Sequence, residues 1–282
     1  MALKIAINGF GRIGRCVARI AATRSDIEIV AINDMASMDM MLYLLKNDSV
    51  HGTFGSNIEQ IDDENISIDG QKIRVFSDRD PKNLKFAECG ADMVLECTGV
   101  FLTQESAQVH IDKGVEKVLF SAPSKDTATD TFVMGVNEEK YDGQKIVSNA
   151  SCTTNCLGPV ARVLDDAFGI EKGLMTTIHS YTNDQNILDV KHSKDKRRAR
   201  AGAINMIPTT TGAAKAISLV MPQLKGRLHG QSVRVPTPDV SMVDLNVVVK
   251  RETTKEEVTK VFNEAADGRL KGLLLMDKEM RV

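Results

Sequence analysis

Apolar residues recur along the first half of the chain in two alternating rhythms. Lys4–Asn8 is a short run carrying the β-branched Ile5 and Ile7, and Gly11–Ala22 then places Ile13, Val17 and Ile20 at helical spacing. Ile27–Ile32 returns to a strand pattern, with Asp34 just past its end. Ala91–Cys97 and Lys117–Ser121 read as further buried strands, with a crossover helix over Gln104–Lys113 between them. Strands alternating with helices in this way predict a parallel sheet with helices packed on it, an α/β arrangement. Within it, Ile61–Phe76 holds Asp69-Gly70 between two alternating runs and predicts an inserted β-hairpin. The second half changes character. Leu174–Tyr181, Ser232–Val235 and Ser241–Lys250 read as longer strands, and Thr211–Leu219 and Lys255–Ala266 as helices. Runs of strands with occasional helices predict an α+β domain with a mostly antiparallel sheet. The change falls near residues 149–151, so the expected domains are 1–150 and 151–282.

Composition narrows the function classes. The chain has 282 residues, with 36 basic against 38 acidic side chains and a net charge of −2. That balance argues against a generally basic nucleic-acid binder. No apolar run approaches the ~18–20 residues of a membrane span, and the first residues are too short and too soon interrupted for a signal peptide. Five cysteines without a secretion signal favour reduced thiols in a cytoplasm. The dense basic stretch Lys194–Arg200 has Asp195 inside it, which weakens a nucleic-acid reading.

Gly9-Phe10-Gly11-Arg12-Ile13-Gly14 is a G-x-G-x-x-G that follows a strand, opens a helix and precedes Asp34 by about twenty residues. The first glycine permits the tight turn, the second lets a pyrophosphate approach the backbone, and the third lets helix and strand pack closely. The helix N-terminus offers unpaired N–H groups to the anion. Asp34 would accept hydrogen bonds from the adenosine ribose and repel a 2′-phosphate, which favours NAD over NADP. The first domain is therefore expected to be a Rossmann-type doubly wound parallel sheet.

Ser148-Asn149-Ala150-Ser151-Cys152-Thr153-Thr154-Asn155-Cys156 is the second informative segment. Ser151 is a good N-cap, so Cys152 would sit at a helix N-terminus, where the dipole favours a thiolate. Pro159 lies inside that helix and predicts a kink or irregular turn.

These motifs, together with His179-Ser180-Tyr181-Thr182, Pro208-Thr209-Thr210-Thr211-Gly212-Ala213-Ala214-Lys215 and Val233-Arg234-Val235-Pro236-Thr237-Pro238, closely resemble the phosphorylating glyceraldehyde-3-phosphate dehydrogenases, in the family's order along essentially the whole chain. The resemblance implies that Cys152 attacks the aldehyde of glyceraldehyde 3-phosphate. His179 then takes the hemithioacetal proton, hydride passes to NAD, and inorganic phosphate releases 1,3-bisphosphoglycerate from the thioester. It implies Thr182 and Arg234 at the substrate phosphate. It assigns Ser151, Thr153, Thr211 and Gly212 to the attacking phosphate, with Arg198 as a mobile contributor. In the cofactor domain it implies Gly9, Gly11, Arg12, Ile13, Gly14, Asp34, Arg79, Thr98 and Ser121. It implies a homotetramer in which the loop holding Lys194–Arg200 crosses between subunits, and no metal. Cys156, four residues after Cys152, reads as structural, with oxidative pairing the weaker alternative.

Two departures stand out. Lys191 replaces a proline usual in NAD-specific members, at a position that faces the neighbouring subunit's adenosine ribose, and so implies better tolerance of NADP. Family members also continue for about fifty residues past the position of Val282. The absent stretch would carry a nicotinamide-binding Asn and the family's tryptophans, and this chain has no Trp. The alternatives that follow are erythrose-4-phosphate dehydrogenase, on the same Cys and His, and a catalytically impaired NAD-binding fragment.

Overall fold

The computed structural model describes residues 1–193 and 195–281. Lys194, the first residue of the basic stretch, and Val282 lie outside the described residues. The chain forms two compact units, one of Met1–Thr131 with Asp142–Ala150, the other of Phe132–Tyr141 with Ser151 onward.

The first unit is built on β1 (Leu3–Asn8), α1 (Arg12–Ala21), β2 (Ile27–Asn33), α2 (Met38–Lys46) and a two-strand ribbon, β3 (Asn47–Asp48) with β4 (Gly52–Thr53). There follow β5 (Ile58–Gln60), β6 (Asn65–Ile68), β7 (Gln71–Phe76), β8 (Met93–Glu96), α3 (Gln104–Asp112), β9 (Lys117–Phe120), β10 (Asp130–Thr131) and β11 (Ile146–Ser148). Nine strands form one sheet in the order β10-β11-β9-β8-β1-β2-β7-β6-β5. The pairs from β10 to β7 are parallel, and β6 and β5 close the edge antiparallel. The expected hairpin is present, turning on Asp69 (φ 49°) and Gly70 (φ 83°). Its second strand, β7, also pairs parallel with β2, so the hairpin is continuous with the main sheet. Two apolar clusters flank the central strands. Ile5, Ile7, Ile29, Ile32 and Leu45 belong to one, and Ala6, Val94, Val118, Phe86 and Phe120 to the other. Alternate residues of β1 thus face opposite layers, as a doubly covered parallel sheet requires.

In the second unit α4 (Cys152–Phe168) leads into β12 (Ile170–Ser180). The rest is β13 (Ile207–Thr210), α5 (Ala213–Val220), β14 (Leu228–Val235), β15 (Ser241–Val249) and α6 (Lys255–Asp267). The sheet order is β13-β14-β12-β15. Two of its pairings are antiparallel, while β12 and β14 run parallel. The irregular turn expected at Pro159 is absent: α4 is one uninterrupted helix. The residue before a proline is normally pushed out of helical geometry by its Cβ, and here that residue is Gly158. Gly158 also lies where a Cβ would come within 3.0 Å of Val136 Cγ2. The segment 132–141 belongs with this unit through such packing, and Arg162 Nη1 donates to the Val136 carbonyl at 2.9 Å.

Candidate active site

The glycine fingerprint takes up the geometry its spacing requires. Gly9 has φ 92°, and a Cβ there would lie 2.7 Å from Thr98 N. At Gly14 a Cβ would lie 2.2 Å from the Gly9 carbonyl oxygen, so only glycine lets α1 seat against β1. Gly11 is different, because nothing lies within 4 Å of where its Cβ would be. It is the N-cap of α1 and supplies no side-chain cap to the first N–H groups of the helix. A cleft of about 440 Å³ opens there, lined among others by Gly9, Gly11, Asp34, Arg79 and Thr98. Asp34 holds the turn, accepting from Phe10 N at 2.6 Å through Oδ2 and from Ala36 N at 2.9 Å through Oδ1. Each carboxylate oxygen retains a lone pair for a ribose hydroxyl. An uncapped helix N-terminus, a glycine cradle and an acid at the end of β2 fit a dinucleotide.

Of the remaining expected cofactor residues, Ile13 is 53% exposed on α1 and Arg12 pairs with Asp48 at 3.2 Å. The Ser121 hydroxyl donates to the Glu96 carbonyl at 3.0 Å. Arg12, Ile13, Gly14 and Ser121 are not among the residues lining the cleft. Sequence reading missed the polar floor of this site: Asn8, Asn33 and Glu96 are buried at the ends of β1, β2 and β8.

In the second unit Ser151 caps α4, its hydroxyl accepting from Thr154 N at 3.1 Å. Cys152 is the first helical residue. Its Sγ lies 3.3 Å from His179 Nε2 and 4.0 Å from Thr153 Oγ1. The thiol is lowered to about 7, chiefly by the hydrogen bond with His179; burial opposes the shift, and the His179 charge and Thr153 support it. The helix end that the sequence pointed to contributes through the Thr153 N–H, but His179 contributes more. Cys156 is a free thiol pushed up by burial and by the nearby Cys152.

His179 is held from three sides. It is the penultimate residue of β12, opposite Arg234 on β14 and Ser241 on β15. Its Nδ1 lies 2.7 Å from the Ser180 carbonyl oxygen, and Nε2 faces the sulfur. Arg234 Nη1 donates to the same carbonyl at 3.1 Å and lies 2.8 Å from Nδ1. The loop before β15 secures the strand end: Ser180 N donates to the Val240 carbonyl and Tyr181 N to that of Thr237. Val240 adopts φ 65°, a strained conformation for a β-branched residue, and Ala150, two residues before Cys152, adopts φ 57°.

Among the expected anion-binding residues, Arg198 reaches the segment that holds Thr211 and Gly212. Thr211 Oγ1 accepts from Ala213 N at 3.1 Å, and Gly212 is the N-cap of α5. Arg198 Nη2 donates to the neighbouring Thr210 carbonyl at 3.4 Å. Arg198 also pairs with Asp184 and lies 3.6 Å from Asp195. Asp184 is in turn held below the usual carboxylate range by Arg198 and His192, which outweigh its burial. Arg234 is pushed down by burial first and by the positive charge of Arg198 next. Its Nε is buried without a partner. Two guanidiniums repel each other until an anion joins them, which is the arrangement a phosphate site needs. Thr182 N and its hydroxyl donate to Gln185 Oε1 at 2.9 and 3.4 Å, fixing the turn that presents Asp184 to Arg198. Asp184 and Gln185 were not found by sequence reading, since neither stands in a recognisable motif. Arg200 of the basic stretch pairs with Asp189 at 3.0 Å. Among the described residues no cluster of His, Cys, Asp and Glu could hold a metal, and no helix is long and apolar enough to cross a membrane.

Residues 3–104 match the family described as glyceraldehyde 3-phosphate dehydrogenase, NAD binding domain, and residues 151–282 match its C-terminal domain. The chain is 52% identical over 281 residues to the glyceraldehyde-3-phosphate dehydrogenase of Geobacillus stearothermophilus, covering 99% of this chain and 83% of that one. It is equally similar to glyceraldehyde-3-phosphate dehydrogenase 1 of Bacillus subtilis. It is 53% identical over 274 residues to glyceraldehyde-3-phosphate dehydrogenase A of Escherichia coli, covering 97% of this chain and 82% of that one.

Proposed function

Because this chain belongs to the glyceraldehyde-3-phosphate dehydrogenase family, we propose that it oxidises glyceraldehyde 3-phosphate to 1,3-bisphosphoglycerate with NAD and inorganic phosphate, using Cys152 as nucleophile and His179 as acid and base. The observation that carries this reading is the 3.3 Å contact between Cys152 Sγ and His179 Nε2 at the start of α4. With its thiol lowered to about 7, Cys152 is substantially ionised at neutral pH.

The chemistry follows from the pair. The thiolate attacks the aldehyde carbon, a C–S bond forms, and the carbonyl oxygen takes the proton from His179 Nε2. His179 then removes that proton again, and the returning electron pair expels the C–H hydrogen as hydride. Gly9, Gly11, Asp34, Arg79 and Thr98 of the cleft, with Arg12, Ile13, Gly14 and Ser121 outside its lining, would hold NAD, which would supply the hydride acceptor. What remains on Cys152 is a thioester, which keeps the oxidation energy that hydrolysis would lose. A phosphate oxygen, positioned by Ser151, Thr153, Thr211, Gly212 and Arg198, attacks it. The C–S bond breaks, and the leaving thiolate returns to its partner His179. Thr182 and Arg234 hold the substrate's own phosphate. In this role Arg198 releases Asp184, a surface-accessible ion pair that an incoming phosphate dianion replaces. The reading includes a homotetramer and a reducing, cytoplasmic setting, which suits a reactive thiolate.

Steady-state kcat/KM with two aldehydes and two nucleotides tests this. We expect phosphate-dependent NADH formation, with glyceraldehyde 3-phosphate preferred over erythrose 4-phosphate and NAD over NADP. Lys191 is exposed and cationic, so Lys191→Pro is expected to lower the residual NADP efficiency several-fold and leave NAD unchanged. A preference for erythrose 4-phosphate, with water as the acyl acceptor, would overturn the substrate assignment. An NADP efficiency indifferent to Lys191→Pro would remove its role.

A further inference from the structure

A chain of buried polar side chains runs beneath the cofactor cleft, across the ends of three adjacent strands. Asn8 stands opposite Asn33 in the β1–β2 register and opposite Glu96 in the β1–β8 register. The relative exposures of Asn8, Asn33 and Glu96 are 0%, 5% and 1%. Asn8 Nδ2 donates to Glu96 Oε2 at 2.7 Å. Asn33 Nδ2 donates to Asn8 Oδ1 at 2.8 Å and to the Asp78 carbonyl at 3.0 Å. Asp78 N donates to Asn33 Oδ1 at 3.0 Å. At the other end Thr98 N donates to Glu96 Oε1 at 2.8 Å, and the Thr98 hydroxyl bonds the same oxygen.

The polarity of this chain is fixed at both ends by groups that cannot reverse. The Asp78 N–H is a donor, so Asn33 must present its oxygen there and its amide to Asn8. Asn8 must then accept from Asn33 and donate to residue 96. The Thr98 N–H is also a donor, and it points at residue 96 from the other side. Donors therefore converge on residue 96 from both directions. Asparagine side chains carry a polarity through but cannot absorb two opposed ones; only a group that accepts on both oxygens can. An amide at 96 would set a donor against a donor wherever the chain is flipped. Burial pushes the Glu96 carboxyl up, and the hydrogen bonds from Thr98 and Asn8 work against that shift.

We propose that Glu96 is a positioning residue for NAD: its buried carboxylate terminates the Asn8–Asn33 chain and thereby holds the four segments that line the cofactor cleft in their binding arrangement. The four segments are those of Gly9, Asp34, Arg79 and Thr98, each adjacent to or part of the chain: Asn8 precedes Gly9, Asn33 precedes Asp34, Asp78 precedes Arg79, and Thr98 is a member. When the polarity is broken, the buried groups find partners only by letting these segments move. The binding-competent fraction then falls, and the apparent Kd rises by the same factor.

The test relocates the carboxylate. NAD affinity is measured by isothermal titration calorimetry, and thermal unfolding is followed, for the parent protein, Glu96→Gln, Asn8→Asp and the double variant. In Glu96→Gln a donor meets a donor, and in Asn8→Asp two carboxylates meet. Each single change is expected to weaken NAD binding about ten- to hundredfold. In the double variant the new amide at position 96 accepts from Thr98 and donates to the new carboxylate at position 8. That carboxylate also accepts from Asn33, so every group in the chain is again paired. Both NAD affinity and the unfolding midpoint are expected to return to within a few-fold and a few degrees of the parent. A double variant no better than its worse single parent overturns the proposal, as does a Glu96→Gln protein that binds NAD normally. If a single variant fails to fold, recovery of a folded, NAD-binding double variant carries the same information. The proposal rests on reading the cleft as the NAD site, and Asp34→Ala separates the two failures. If that change leaves Kd unaltered, the cleft reading fails; if it weakens NAD while the relocation has no effect, only the role of Glu96 fails.

Discussion

Cys152→Ser is expected to lower kcat by about four orders of magnitude or more while NAD still binds. The serine hydroxyl keeps the position at the start of α4, but its proton is far harder to remove than that of a thiol lowered to about 7. The contact with His179 Nε2 therefore holds a neutral hydroxyl in place of an ion pair, and no nucleophile is present at neutral pH. An ester at this position would also be a poorer acyl donor than a thioester. The residues lining the cofactor cleft all come from the first unit, away in sequence from the substitution. Stopped-flow and steady-state NADH formation measure the first effect, and calorimetric NAD titration the second. A serine variant retaining a tenth of the parent rate would show that the acyl group is carried elsewhere.

His179→Asn is the second large effect, and its sign is set by the thiol. The His179 hydrogen bond is the largest cause of the Cys152 shift, so its loss moves the thiol up from about 7 toward the ordinary value of about 8.5. At pH 7 the thiolate fraction falls from about half to a few per cent. Loss of the acid and base in the later steps multiplies this, for a total of about 10²–10⁴ in kcat. The pH profile of alkylation by iodoacetamide isolates the first part. Its midpoint is expected to move to higher pH in the variant and stay near 7 in the parent. An unchanged midpoint would mean that the end of α4, rather than His179, sets the ionisation of Cys152.

How far the sequence revealed this molecule depends on the range of the interaction. Gly9 and Gly14 were legible because part of their demand is local: the positive φ of Gly9 belongs to one residue, and the close approach of Gly14 is to the Gly9 carbonyl five positions earlier. Ser151 and Cys152 were legible because a cap and the residue after it are neighbours in sequence. The helix Met38–Lys46 has an N-cap in Ser37, an acid in its first turn and a base in its last, but its apolar residues crowd together and blur the period, so it was missed. The strand Ile146–Ser148 is too short for alternation to register. Pro159 does not end α4, and the residue before it, Gly158, has no Cβ to set against the proline ring. The polar floor was invisible for a different reason. Asn8, Asn33 and Glu96 are single residues separated by up to 88 positions, joined only by strand register. The same holds for Arg198 and Asp184, whose pairing requires the loop between them to fold back on itself.

The central claim is that oxidation and phosphorylation are coupled through an acyl group on Cys152. It is tested most directly by mixing the protein with NAD and glyceraldehyde 3-phosphate in the absence of phosphate and following NADH. The account predicts a burst equal in amount to Cys152, then a stop, with steady turnover resuming when phosphate is added and no burst from Cys152→Ser. Turnover at the same rate with and without phosphate would contradict it, and so would a full burst from the serine variant.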